Sequence, residues 1–68
     1  MSSRNNAIEA ALIEATSIRN RVYVFPDGDG EGGYFAVNEE ECDPREFADA
    51  LGFAEYDPKR KESVWELI

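Results

Sequence analysis

The sequence predicts an α+β fold, a small antiparallel sheet with two helices packed on one face, in the order α-β-β-α-β-β. Three observations predict it. An alanine-rich stretch with helical periodicity opens the chain, and two β-branched, aromatic runs follow, separated by a glycine-rich loop. A short capped helix then precedes two apolar segments flanking a turn near the C-terminus.

From about residue 6 to residue 20 the apolar positions are Ala7, Ile8, Ala11, Leu12, Ala15 and Ile18. At about 100° per residue these share one arc of a helical wheel, and only Ile13 strays from it. Alanine and glutamate favour helix, and Asn5 or Asn6 can cap its start. Residues 21–25, Arg-Val-Tyr-Val-Phe, read as a strand that Pro26 stops. Residues 27–33, Asp-Gly-Asp-Gly-Glu-Gly-Gly, have the backbone freedom of a long hairpin loop, and residues 33–37 return as a strand.

Residues 38–42 lead to Asp43, which can cap a second helix, with Pro44 at its first position and Glu46 completing a capping box. That helix is expected to run to about Leu51, burying Phe47, Ala48 and Leu51, with Gly52 as its left-handed terminator. Residues 53–56 read as a strand and residues 57–61 as a turn. Residues 63–68 read as the hairpin partner, although Val64, Trp65, Leu67 and Ile68 would also share one helical face.

Sixty-eight residues are expected to form one compact domain, 1–68, with a small core. Histidine is absent and Cys42 is the one cysteine, which excludes an internal disulfide, a cysteine-based zinc site and histidine-dependent catalysis. Cys42 has no histidine partner and lies between Glu41 and Asp43, so it reads as a structural or incidental thiol. Paired carboxylates could perform acid–base work, but so short a chain can hardly enclose the cleft that work needs. The expectation is a non-enzyme without cofactor. No apolar run is long enough to span a bilayer, and residues 1–6 lack the apolar core of a signal peptide, pointing to a cytoplasmic protein.

Charge is the distinctive property. The 15 acids and 7 bases give a net charge of −8 and a pI near 4.3, which argues against direct binding to nucleic acid or an anionic membrane. The excess is confined to residues 27–57, where Asp27, Asp29, Glu31, Glu39, Glu40, Glu41, Asp43, Glu46, Asp49, Glu55 and Asp57 face Arg45 alone. The flanking stretches 1–26 and 58–68 each balance at +1. Like charges crowded into a small fold repel, so such confinement suggests a functional surface, although solubility explains part of it. Glu46 and Asp49 fall one turn apart on the polar side of the second helix, and Glu39 and Glu41, if extended, project to one side. A solvated polar face would carry the same residues, and a phosphate-like row of charge is the sharper reading.

Two further features bear on function. Asp27, Asp29, Glu31 and Gly32 occupy positions 1, 3, 5 and 6 of an EF-hand-like calcium loop, but position 12 is Asn38 and the flanks read as strands. An acidic glycine-rich hairpin tip accounts for the same residues. Tyr23, Phe25, Tyr34, Phe35 and Trp65 read mainly as core, although an exposed aromatic ringed by acids would anchor an interface; the alternative is an adaptor that binds another protein through an exposed aromatic face, its acids only solubilising.

In its size, its acidic middle and its want of catalytic equipment, the chain resembles the small phage-encoded anti-CRISPR and anti-restriction proteins of the DNA-mimic type. The resemblance rests on the acids from Asp27 to Asp57, centred on Glu39, Glu40, Glu41, Glu46 and Asp49, and on no diagnostic motif. It implies a monomeric inhibitor in the bacterial host cell. These acids would occupy the basic DNA-binding surface of a CRISPR surveillance complex, or of another host nucleoprotein, and exclude its DNA.

Overall fold

The computed structural model describes residues 4–26 and 33–68. Helix α1 (Arg4–Ile18) is followed by strands β1 (Val22–Pro26) and β2 (Tyr34–Asn38), two three-ten segments (Glu39–Glu41 and Pro44–Asp49), and strands β3 (Gly52–Asp57) and β4 (Glu62–Leu67). The strands form one antiparallel sheet in the order β2-β1-β3-β4. The segment between β2 and β3 therefore crosses over β1. No helix among the described residues is long and apolar enough to cross a membrane.

Central β1 is buried on both sides, as its unbroken apolar sequence requires. Val22 and Val24 point to α1, where Ala7, Ala11 and Ala15 form a stripe one turn apart and, with Ala54, complete the core. Alanine lets the helix axis approach the sheet closely, and Leu12, Tyr34, Ala36 and Trp65 seal the perimeter. The stray Ile13 is 69% exposed. The helix ends at Ile18 because Arg19 adopts a left-handed conformation (φ 56°) and returns its N–H to the Ala15 carbonyl at 2.8 Å.

Residues 62–67 are a strand, which settles the ambiguous tail. Trp65 lies opposite Ala54, and Ser63 Oγ meets Thr16 Oγ1 of α1 at 2.6 Å. Thr16 Oγ1 also donates to the Leu12 carbonyl at 2.9 Å, so Ser63 is the donor between the two hydroxyls. Lys61, at φ 57°, closes the β3–β4 turn.

The second helix departs from expectation in kind and in place. Pro44–Asp49 is a three-ten helix, and it covers the sheet face opposite α1 rather than joining α1 on one face. Six residues opening on proline and ending in extended Ala50 gain little from helix propensity alone, so packing against the sheet decides their conformation. At about three residues per turn, positions i and i+3 eclipse. Phe47 and Ala50 accordingly face the sheet together, while Ala48 is exposed and Leu51 only half-buried. The Phe47 ring stacks on Tyr23 with centroids 4.2 Å apart, and Phe25, Cys42, Val37 and Phe53 complete this second core. Gly52 terminates no helix. It opens β3, paired with Val24 on one side and Leu67 on the other.

Candidate functional site

Strand alternation and register sort the acids. On β1 and β3 the even positions face α1, so Tyr23, Phe53, Glu55 and Asp57 point to the opposite side. Across the β3–β4 ladder Phe53 pairs with Glu66, Glu55 with Val64 and Asp57 with Glu62. Directly paired residues share a face, which adds Glu62 and Glu66 to that side. The segment carrying Glu39, Glu40, Glu41, Asp43, Glu46 and Asp49 is tied to the same side by Glu39 on Arg21, which lies over Phe53, and by Cys42, Phe47 and Ala50 in the second core. The acids of residues 39–66 therefore share one side of the sheet, and α1, with Glu9 and Glu14 against Arg4, covers the other. Asp27, Asp29 and Glu31, together with the calcium-loop reading, lie outside the described residues.

Within this face the acids divide by local role. Arg21, the residue before β1, reaches Glu55 at 3.3 Å and Glu39 at 3.9 Å and lies 4.7 Å over the Phe53 ring. A hydrogen bond to Tyr23 holds its guanidinium above the ordinary arginine range, partial burial opposes this, and Glu55 adds to it. Asp43 caps the three-ten helix by accepting from Arg45 N at 3.0 Å, and its second oxygen meets Arg45 Nη2 at 3.2 Å. That backbone bond and the Arg45 side chain lower its carboxyl below the ordinary aspartate range. Asp57 accepts from Lys59 N at 2.9 Å and faces Arg60 at 3.9 Å, so it organises the β3–β4 turn. Among the described residues, Glu40, Glu41, Glu46, Asp49, Glu62 and Glu66 enter no ion pair.

The extended spacing expected for Glu39 and Glu41 is not present. Residues 39–41 form a three-ten turn capped by Asn38, whose Oδ1 accepts from Glu40 N at 3.1 Å and from Asn20 Nδ2 at 3.2 Å. Two positions along such a turn point apart, so Glu39 turns to Arg21 while Glu40 and Glu41 face solvent. Glu46 and Asp49 do stand together, eclipsed one three-ten turn and about 6 Å apart along the axis. With Phe25, Pro26 and Phe35 they line a groove of ≈ 250 Å³.

Glu62 and Glu66 were not among the sequence-predicted residues. Charge counted by segment leaves them in a balanced tail, whereas period-two alternation of β4 opposite β3 puts them beside Glu55 and Asp57.

What these exposed carboxylates offer a partner is negative charge. Burial pushes the Cys42 thiol up, and Glu46 and Asp43 push it further, which leaves it a weak nucleophile. Among the described residues no group of three or more carboxylates and thiols is arranged to hold a metal ion. Comparison with protein families, curated proteins and solved structures finds no match to this chain.

Proposed function

We propose that this protein is a non-enzymatic inhibitor whose acidic face occupies the basic DNA-binding surface of a nucleoprotein, such as a CRISPR surveillance complex, and excludes its DNA. The observation that carries this reading is the one-sided placement of Glu40, Glu41, Glu46, Asp49, Glu62 and Glu66 away from α1. Concentrating carboxylates on one side of so small a fold costs stability through mutual repulsion, and scattering them would serve solubility equally well. A surface of this kind attracts an arginine- and lysine-lined groove, releases its counterions and shields it from phosphates.

The test is displacement. Duplex DNA on beads is loaded with a CRISPR surveillance complex and, in parallel, with the DNA-binding proteins of a bacterial lysate. The protein is then titrated in at low and at moderate salt. DNA-bound protein is expected to be released at about 50 mM salt, with potency falling on the order of a hundredfold by about 200 mM, as for a contact made by several charges. Absence of release in both arms, or release indifferent to salt, contradicts the proposal.

A further inference from the structure

The protein contains a template for holding an arginine, and a second copy of that template without one. In the first, Arg21 lies 4.7 Å over the Phe53 ring and between the carboxylates of Glu39 and Glu55. In the second, Phe35 on edge strand β2 is 47% exposed, and its groove is walled by Glu46 and Asp49. The ingredients match: one phenyl face and two carboxylates. Among the described residues, no basic side chain lines this groove.

We infer that the Phe25–Phe35 groove seats an arginine side chain of the partner, between the Phe35 ring and the carboxylates of Glu46 and Asp49. A guanidinium stacks flat on a ring while its edge donates to carboxylates, a geometry that an ammonium does not reproduce. An anionic group is repelled here, and a purely apolar side chain would strip water from two carboxylates without compensating them. The seat is preorganised. Phe35 stacks on buried Phe25 with centroids 5.6 Å apart and planes 18° apart, and Phe47 on Tyr23 fixes the helix that carries both acids. An aromatic anchor of this kind gives position and orientation to an interface that charge alone would leave diffuse.

This inference rests on the proposed basic partner but is tested without it. The probe is an N-acetylated, C-amidated Gly-Arg-Gly peptide, titrated at low salt and followed by NMR. Equivalent peptides carry lysine, or citrulline as the neutral isostere. The arginine peptide is expected to shift the Phe35 ring and the Glu46 and Asp49 amides, with ring-current shifts on its own δ-methylene. The lysine peptide should bind about tenfold more weakly and citrulline not measurably. F35L keeps an apolar side chain at this site without the aromatic face and should abolish the localised shifts while the remaining spectrum stays folded. Shifts spread evenly over the acidic face, equal effects of arginine and citrulline, or full binding by F35L would overturn the inference. In the DNA-displacement assay, F35L leaves every charge in place, so a failed arginine seat with intact displacement removes this inference and spares the acidic-face reading.

Discussion

Gly52→Ala is expected to be strongly destabilising, at about 3 kcal/mol or above. Gly52 is flanked by β1 and β4, and a Cβ there would overlap the Glu66 carbonyl oxygen and approach Trp65 Cζ2 to 2.7 Å. The indole could rotate away only by leaving the α1 core, where it packs against Ala54 and the helix stripe. The Glu66 carbonyl cannot move without breaking the β3–β4 ladder. Overpacking costs about 1–3 kcal/mol where side chains can adjust, and a backbone neighbour places this site at about 3 kcal/mol or above. A 68-residue domain has about 3–10 kcal/mol in total. Urea unfolding followed by circular dichroism should show the midpoint falling by about 2 M or more, or no folded baseline at all. G52A/W65L removes the ring overlap but not the carbonyl overlap and should remain destabilised. A midpoint for G52A within about 0.3 M of wild type would contradict the pairing of Gly52 with Leu67 and the β3–β4 register built on it.

Arg21→Ala is expected to be the most damaging single change on the acidic face, at about 2 kcal/mol. The side chain is about two-fifths exposed (41%), so its ion pairs with Glu39 and Glu55 are each worth well under 1 kcal/mol, about 0.3–0.5, after solvent screening. Stacking on Phe53 adds about 0.5–1 kcal/mol, and the aliphatic stem covers part of the strand. The remaining cost is repulsion, because removal leaves Glu39 and Glu55 together without a counter-charge. Arg21→Lys restores charge but not the guanidinium fork that reaches both carboxylates over the Phe53 ring, and should recover about half of the loss. The loss should grow as salt is lowered. A loss below about 0.5 kcal/mol, or one that does not change with salt, would show that Arg21 does not hold the face together.

Much of this fold can be read from the residues, and the failures have definite causes. The Ala7, Ala11 and Ala15 stripe, the β-branched β1 and the exclusion of Ile13 follow from periodicity alone. Residues 43–49 carry genuine helix-start signals, and Asp43 and Pro44 perform the expected roles. What decides their conformation is tertiary. Phe47 has to meet Tyr23, and Ala50 has to turn extended into β3, within a few residues. A 3.6-residue wheel therefore selects Ala48 and Leu51 where a three-residue turn selects Ala50. The acidic face was visible as composition but not as placement. Asp43, Asp57, Glu39 and Glu55 are engaged by a cap, a turn and Arg21, whereas Glu62 and Glu66 join the face only through the β3–β4 register.

The most direct test of the acidic face varies the placement of charge and holds its total constant. E40Q/E41Q/E46Q/D49N removes four charges from the acidic face, and E9K/E14K reverses two on exposed positions of α1. Each changes the net charge from −8 to −4. The measurement is the concentration of each variant that displaces half of a surveillance complex from immobilised duplex DNA at about 50 mM salt. The face variant should require at least about tenfold more protein than wild type, and the helix variant should stay within about twofold. Equal weakening of both variants, or of neither, would contradict the assignment of function to this face.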